Sequence, residues 1–423
     1  MSIGFEAGPT GDSMRSVWLL AMTQALCNSG TFLVVLLGGI LGSQLAPRPA
    51  LATLPLSVMI IGLALTTFPA ALIMQRLGRR PVFQATALVA AGAAVLGAQA
   101  IRADSFGLFC LATFLLGTTN AVVMQYRFAA AEHVAPELAG RAVATVMVGA
   151  LVAAWLGPEI AILGADLVAN AHYAGSFYCA AALFVAAALL LSALPRRGGA
   201  LGRIGGPARP LGEVARQPEF KVAVLAGVVA YAVMSFIMTA TPVSMHVMDH
   251  LSEQDTKWVI QSHLLAMYLP ALVSGRIVVR LGVHPTMLIG TLTMCGCVAI
   301  ALLGGHEVVH YWWAMVLLGI GWNLLFVAGT AMLTQTYRPS ERFRAQAVNE
   351  LTVFGSQATA SLLAGVALAY IGWERLNLVS LPLLLTMLAA VLWLMLRRKK
   401  EVPGIQEVPG SEEVSGTEEV SGT

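Results

Sequence analysis

Residues 117–143 read GTTNAVVMQYRFAAAEHVAPELAGRAV, and a related stretch, GWNLLFVAGTAMLTQTYRPSERFRAQAV, occupies residues 321–348. Three residues of the first stretch recur in the second at a constant offset of 203: Asn120 as Asn323, Pro136 as Pro339, and Arg141 as Arg344. A shorter pattern gives nearly the same offset, because RLGRRP at residues 76–81 recurs as RLGVHP at residues 280–285. The chain therefore consists of two related halves.

The composition indicates a membrane protein. Only 11% of the 423 residues are charged and 57% are hydrophobic, whereas soluble domains carry about 25% charged residues. Apolar runs of about 20 residues, long enough to cross the hydrocarbon core as helices, recur along the chain, and we count twelve of them. A duplication of this length is typical of transporters whose solute site lies between two bundles. The sequence predicts an all-α integral membrane protein with 12 transmembrane helices in two pseudo-symmetric six-helix bundles.

The distribution of cations predicts the orientation in the membrane. Most of the 25 Lys and Arg residues fall at the termini and in the even-numbered connections between the predicted helices. The opposite side has only four: Arg48, Arg102, Lys257 and Arg375. Because short cytoplasmic loops are enriched in Lys and Arg, both termini are expected in the cytoplasm. The excess of basic residues is spread among short loops, so it does not indicate a nucleic-acid partner.

Changes in composition set the predicted domain boundaries. The first bundle covers residues 1–195 and the second covers residues 219–400. Residues 196–218, between them, are rich in Gly, Pro and Arg, which is typical of a flexible cytoplasmic linker. Residues 401–423 consist of approximate copies of a six-residue unit, EVPGIQ, EVPGSE, EVSGTE and EVSGT. Such a segment cannot bury a core and is predicted to be disordered.

The connection between the predicted second and third helices resembles a loop motif of the major facilitator superfamily. That motif runs Gly-x3-Asp-Arg-x-Gly-Arg-Arg, and this chain has Ala71 and Gln75 at the first glycine and the aspartate, followed by Arg76, Gly78, Arg79 and Arg80. After the fourth helix the family places an acid, a proline and Gly-Arg-Ala, which correspond here to Glu132, Pro136 and residues 140–142. The second half keeps Arg280 of the loop motif but has Val279 at the aspartate position.

The resemblance implies alternating access between two bundles and a gate on the cytoplasmic side. The gate residues that it implies are Arg76, Gly78, Arg79, Arg80, Glu132, Arg141 and Arg280. In this interpretation, Glu132 pairs with Arg76 or Arg79 when the transporter faces outward. Segments of the later helices, including TATPVSMH, IQSHLLAMYLP and AVNELTVFG, resemble a bacterial branch of the family. Most members of that branch have no assigned substrate, and some have been linked to riboflavin.

By the same resemblance, the solute binds near the membrane midplane on helices one, four, seven and ten. Polar side chains at that depth are costly unless they meet each other, water or a ligand. The predicted substrate-binding residues are Gln24, Asn28, Asn120, Tyr126, Tyr231, Trp322 and Asn323. We expect Asn120 and Asn323 to face each other across the pseudo-twofold axis, and Tyr126 and Trp322 to stack on a planar solute. The alternative is that these groups only hold the helices together through interhelical hydrogen bonds.

Coupling to protons requires a group that can titrate inside the membrane. Glu159, directly after Gly157 and Pro158, is the only carboxylate well inside a predicted span, and the membrane interior disfavours its charged form. His263, in the eighth helix, is the second candidate. Glu350 is expected at the start of the eleventh helix, where it would stabilise the helix N-terminus.

Other functions remain open at this point. Histidines and acids near the outer ends of helices, including His246, Asp249, His250, His306 and His310, would suit divalent-metal transport. A non-transporting sensor or assembly protein could use the same fold. The sequence contains no Gly-x4-Gly-Lys-Ser/Thr nucleotide-binding loop and no hydrolytic constellation. We predict no enzyme activity, cofactor or bound metal, and we expect a monomer in the bacterial inner membrane that binds a small solute, protons and the lipid bilayer.

Overall fold

The computed structural model describes residues 10–135, 138–195 and 209–401, which form helices joined by short turns. Most of the predicted linker (residues 196–208) and nearly all of the predicted disordered tail (residues 402–423) lie outside the described residues. The α-helices are α1 Thr10–Leu45, α2 Leu54–Leu77, α3 Arg79–Arg102, α4 Phe106–Val123, α5 Tyr126–Glu132, α6 Ala139–Leu163, α7 Ala174–Ser192, α8 Leu211–Arg216, α9 Pro218–Pro242, α10 Glu253–Tyr268, α11 Ala271–Leu281, α12 Val283–Leu303, α13 Val308–Thr334 and α14 Arg342–Glu401.

The helices account for the twelve predicted spans. Ten helical stretches in the described residues are long and apolar enough to cross a membrane, and α10 with α11 forms one more, bent by 44°. The last stretch, residues 344–397, is long enough for two spans and is interrupted at Gly372, where φ is 75°. The prediction of an all-helical protein with twelve spans is confirmed.

Large apolar side chains cover the outside of the molecule. Leu303 is 86% exposed, Val279 85% and Leu163 74%, values that would favour aggregation if these side chains faced water. In a lipid bilayer the same side chains lie in contact with acyl chains, so their exposure follows from the apolar composition of the helices.

The helices pack as two groups. In the first, α1 packs on α6, α2 on α4, and α3 on α7; in the second, α9 packs on α14, α12 on α13, and α10 on α13. We call these groups the N bundle (α1 to α7) and the C bundle (α9 to α14). The face that carries the turns around Gly78 and Gly282 is named the inner face, and the opposite face, with the turns at residues 46–53 and 304–307, the outer face.

The repeated RLG pattern has a backbone explanation. Gly78 ends α2 with φ of 82°, and Gly282 ends α11 with φ of 88°. L-residues with a side chain rarely adopt these angles, so glycine is required where each chain segment turns sharply between two helices. The two turns occupy equivalent positions in the two bundles, which accounts for the offset seen in the sequence.

The described end of the linker is attached to the C bundle. Arg209 binds Glu341 through its backbone N–H at 2.7 Å, its Nε at 2.9 Å and its Nη2 at 2.7 Å. These hydrogen bonds, with a further one from the backbone N–H of Arg338, hold the pKa of Glu341 well below its usual range. The chain is thus fixed to the inner face of the C bundle before α9 begins.

Candidate solute-binding cavity

A cavity of about 200 Å³ lies between the N bundle and the C bundle near the middle of the molecule. It is lined by α1, α2, α4 and α6 from the N bundle and by α9, α10, α13 and α14 from the C bundle. Most of the lining is apolar, including methionines from both bundles such as Met147, Met234 and Met267. A flexible thioether side chain adapts its shape to different neighbours.

Amide side chains line the N-bundle side of the cavity. Gln24 and Asn28 are one helical turn apart on α1, and Asn120 is on α4. Their spacing on α1 puts the two side chains on one face, as the sequence predicts. None of the three amides makes a hydrogen bond within the described residues. Polar groups held at membrane depth without partners are available to a solute.

Aromatic side chains line the C-bundle side. Trp322 stacks on Phe326 with ring centroids 5.3 Å apart and an interplanar angle of 14°. Tyr231 meets Trp322, Phe326 and Phe354 edge-on, at centroid distances of 5.3, 5.3 and 5.7 Å. We call Tyr231, Trp322, Phe326 and Phe354 the aromatic wall. Together with the amides opposite, it forms a site suited to a flat solute that has a hydrogen-bonding edge.

Two predicted substrate residues lie outside the lining of the central cavity. Tyr126 is buried in the N bundle, where its ring packs on Phe83 at 4.6 Å and its hydroxyl is 3.9 Å from the Sγ of Cys27. Asn323 is buried between α13 and α10 and does not face Asn120. The difference arises because neighbouring residues on a helix point about 100° apart, so that Trp322, and not Asn323, reaches the cavity.

Asn323 instead bonds to a backbone carbonyl that is left free where the eighth span is broken. The eighth span bends at Leu269 and Pro270, because proline has no N–H to continue the hydrogen-bond ladder. The Nδ2 of Asn323 donates to the carbonyl of Met267, 2.8 Å away, at the end of α10. The fourth span is also broken, between α4 and α5, where Arg79 Nη1 donates to the carbonyl of Gln125 at 3.4 Å. Both breaks adjoin cavity residues, Met124 and Tyr268.

The sequence interpretation missed two polar residues of the cavity. Arg127 follows the break in the fourth span and lines the cavity together with Gln357 from α14. Glu350 lies beyond the first turn of α14, so its predicted role at the helix N-terminus is wrong. The energetic cost of an amide inside a membrane span could have identified Gln357. It was missed because the family resemblance places the solute only on helices one, four, seven and ten.

Glu159 joins the two bundles on the outer side of the cavity. Its Oε1 accepts hydrogen bonds from Lys257 Nζ at 2.9 Å and from Gln261 Nε2 at 3.3 Å. Gln261 also donates to the carbonyl of Trp155 at 2.8 Å. The sequence assigned Lys257 to an outer loop, but α10 begins at Glu253 and places this lysine, buried, beside α6. Glu159 is therefore an ion-paired group between the bundles and not an isolated carboxylate.

Further contacts close the outer side. Ser57 of α2 and Ser361 of α14 lie 2.9 Å apart through their hydroxyls, and His172 Nε2 lies 3.3 Å from Glu253 Oε1. All of these contacts between the bundles, in the described residues, lie on the side of the outer face. In this conformation the two bundles are therefore joined on the outer side of the cavity.

His263 lies away from the cavity. It is fully buried inside the C bundle, where its Nδ1 is 2.7 Å from the carbonyl of Met315. No cavity residue and no ionisable partner bonds to it within the described chain. Its position is that of a packing residue between α10 and α13.

The predicted gate residues lie at the inner face. Arg79 and Glu132 form an ion pair at 2.5 Å inside the N bundle, so that Glu132 pairs with Arg79 and not with Arg76. The side chains of Arg76, Arg141 and Arg280 are exposed, and Arg80 is partly buried. Arg76, Arg79, Arg80 and Arg141 bond to no residue of the C bundle in the described part of the chain.

Among the outer histidines, His306 bonds to two carboxylates. Within the described residues no group of three or more His, Cys, Asp or Glu could hold a metal ion. His306 lies between two carboxylates, with its Nδ1 2.8 Å from Asp249 and its Nε2 2.6 Å from Glu374. Tyr311 donates to the same oxygen of Asp249 at 2.7 Å. These contacts tie the ends of three outer segments of the C bundle together.

This cluster makes stability depend on pH. The carboxylate of Asp249 and, to a smaller extent, that of Glu374 raise the pKa of His306. The stabilisation from these contacts is therefore complete below the pKa of unfolded histidine, about 6.5. It is lost as pH rises through the pKa of His306 in the folded protein. We expect the melting temperature of the native protein to exceed that of His306→Asn at about pH 6 and the difference to shrink toward about pH 9. A His250→Asn variant is the control, because His250 is exposed, with a φ of 54° that asparagine tolerates. A difference that does not change with pH would contradict this assignment.

Comparisons with known proteins agree with the architecture. A sequence model of the Major Facilitator Superfamily matches residues 17–250 and 223–418. The riboflavin transporter RfnT of Brucella anthropi is 40% identical over 384 residues, 89% of this chain and 95% of that protein. An uncharacterized MFS-type transporter of Bacillus subtilis, YdeG, is 27% identical over 90% of this chain and 91% of its own length. A variant of the nucleoside transporter NupG has a similar fold, with a TM-score of 0.71 at 15% identity, and the alignment covers 90% of this chain and 99% of that structure.

The repeated halves, the twelve spans and the cavity between the bundles are explained by one family. The resemblance to the major facilitator superfamily seen in the loop motifs is confirmed over nearly the whole chain. This chain belongs to the Major Facilitator Superfamily and is a multi-pass membrane transporter of a small solute.

Proposed function

We propose that this transporter moves riboflavin or a closely related flavin. The observation that carries the proposal is the pairing of the aromatic wall with amide side chains on the opposite bundle. An isoalloxazine ring is flat and apolar on its faces and has polar atoms along one edge. The name of the relative from Brucella anthropi points to the same class of solute.

The solute would bind between the bundles. Its ring would pack against the aromatic wall and meet the edge of Trp322, because contacts between flat aromatic rings are favourable when they are offset or edge-on. The hydroxyl groups of a ribityl chain would bond to Gln24, Asn28 and Asn120, which lack partners among the described residues. Tyr126 and Asn323 would support the site indirectly, through the packing and the helix break described above.

Alternating access would follow from the contacts between the bundles. The orientation inferred from the cations puts the inner face in the cytoplasm, so the conformation described is inward-facing. Opening to the outside would break the seal around Glu159 and Ser57 and bring the inner ends together. The arginines of the inner face, Arg76, Arg79, Arg80, Arg141 and Arg280, with Gly78 and Glu132, would form the gate in that state.

Proton coupling would use Glu159. When the outer seal opens, Glu159 separates from Lys257 and meets the outer solution, where it takes up a proton. Closing the seal would restore the ion pair and release that proton into the cavity, and from there to the inner solution, because a protonated carboxyl gains little from a neighbouring ammonium. His263, sealed inside the C bundle, is a weaker proton site, since a proton has no described route of polar groups to it.

The surroundings follow from the same reasoning. We propose a monomer in the bacterial inner membrane, with both termini in the cytoplasm, no cofactor and no enzyme activity. The bundles would be residues 1–195 and 219–400, joined by the linker at residues 196–218, with a dispensable tail from residue 401. Metal transport gains no support from His306, because the carboxylates of Asp249 and Glu374 already bond to both of its ring nitrogens.

A counterflow assay tests whether riboflavin is the solute, and its result does not depend on whether the protein works in uptake or in export. Proteoliposomes loaded with unlabelled riboflavin are diluted into labelled riboflavin, and labelled solute should accumulate inside transiently. Uridine and a quaternary ammonium drug, loaded in parallel, serve as competing solute classes. Exchange of one of these but not of riboflavin would reject the flavin substrate, and binding of riboflavin without exchange would favour a sensor.

A further inference from the structure

Three residues that line the cavity each keep a buried polar atom with no hydrogen-bond partner among the described residues. These atoms are Nε of Arg127, Nε1 of Trp322 and Oε1 of Gln357. Buried polar atoms in folded proteins are nearly always paired, and those left unpaired at a cavity point to a ligand that pairs with them. Trp322 and Gln357 are themselves only 6% and 7% exposed.

The three atoms have a defined chemistry. The indole N–H of Trp322 and the guanidinium N–H of Arg127 can only donate hydrogen bonds, whereas Oε1 of Gln357 can only accept them. The set therefore consists of two donors and one acceptor. Arg127 belongs to the N bundle, and the other two residues belong to the C bundle. A solute that uses all three would be bound by both bundles at once.

We propose that these residues recognise a cyclic imide, the group O=C–NH–C=O within a ring. Its two carbonyl oxygens accept the hydrogen bonds of Arg127 and Trp322, and its N–H donates to Gln357. The pyrimidinedione end of a flavin carries this group, so the inference rests on the proposed function and specifies how the solute is recognised. The same group occurs in the base of uridine, and competition by uridine and 3-methyluridine serves as a second probe.

Recognition of this kind makes selectivity depend on the imide proton. A site built to pair with a substrate N–H rejects an analogue that lacks it, because the acceptor is then left buried and unpaired. Methylation of the imide nitrogen removes that proton and changes little else of the ring. The affinity of the protein for riboflavin should exceed that for 3-methylriboflavin by at least about tenfold.

The experiment measures flavin binding to the purified full-length protein by quenching of flavin fluorescence. Riboflavin is compared with 3-methylriboflavin for the native chain and for Gln357→Leu. The matched control is Gln99→Leu, an exposed amide on α3 that bonds to Tyr178 away from the cavity. In Gln357→Leu we expect the ratio of riboflavin affinity to 3-methylriboflavin affinity to fall to about one, with the affinity for 3-methylriboflavin unchanged. In Gln99→Leu the native ratio should persist. If Gln357→Leu binds neither flavin, Gln357→Glu, which keeps an acceptor oxygen, must keep the preference.

The outcomes separate the two proposals. Equal affinity of the native protein for both flavins, or a preference that survives in Gln357→Leu, would overturn imide recognition while leaving flavin transport intact. If the native protein binds neither flavin but prefers uridine to 3-methyluridine through Gln357, the flavin substrate is wrong and imide recognition stands. No discrimination in either pair of compounds would reject the inference.

Discussion

Replacing Glu159 with glutamine should abolish the movement of protons that accompanies transport while leaving counterflow of the solute. Glutamine keeps the shape of the side chain and can still bond to Gln261, but it cannot exchange a proton. In proteoliposomes with an imposed pH gradient, accumulation of riboflavin should fall by at least about tenfold, equivalent to about 1.4 kcal/mol. Counterflow, which needs no net proton movement, should stay within a few-fold of the native rate.

The ion pair supplies a control for this prediction. Removing one member of a buried pair leaves the other charge uncompensated, which costs about 3–5 kcal/mol. Lys257→Met alone should therefore weaken the closed outer seal, and Glu159→Leu combined with Lys257→Met should restore thermal stability without restoring coupling. Proton movement in Glu159→Gln equal to that of the native protein would show that another group carries the proton.

Replacing Trp322 with alanine should produce the largest loss of solute affinity. This side chain stacks on Phe326 and meets Tyr231 edge-on, so its removal takes away part of the aromatic wall together with its indole N–H. Stacking of a heteroaromatic base on an aromatic side chain contributes about 1–3 kcal/mol. Riboflavin affinity, measured by fluorescence quenching, should fall by about 10-fold to 100-fold, with Trp322→Phe intermediate.

The matched control lies on the same helix. Trp313 of α13 is half-exposed and contacts Trp312 away from the cavity. Trp313→Ala should leave riboflavin affinity within about twofold of native, since surface substitutions seldom have larger effects. Equal losses in the two variants would indicate that the helix as a whole was disturbed. An unchanged affinity in Trp322→Ala would exclude the aromatic wall as the solute site.

Much of the fold could be predicted because its causes are local. The spans are specified by hydrophobic length, the repeat by matching residues such as Asn120 and Asn323, and the tight turns by Gly78 and Gly282. Each of these signals belongs to a short stretch of sequence and does not depend on which helix packs against which. The two-bundle architecture followed once the duplication had been recognised.

The site was harder to predict because it depends on helix rotation. A change of one residue turns a side chain by about 100°, and this explains why Trp322 lines the cavity while Asn323 bonds to Met267. The partner of Glu159 was missed for a different reason, because Lys257 is distant in sequence and its burial depends on where α10 begins. Arg127 was missed because the break in the fourth span, which it follows, is not marked by a proline.

We propose that the protein transports a flavin, bound in the cavity between the bundles, together with protons. The most direct measurement is the internal pH of proteoliposomes after riboflavin is added, recorded together with riboflavin flux for the native chain and for Glu159→Gln. We expect riboflavin flux with a change in internal pH for the native protein. In Glu159→Gln we expect riboflavin exchange with no change in internal pH. Riboflavin binding without flux or pH change in the native protein would contradict it.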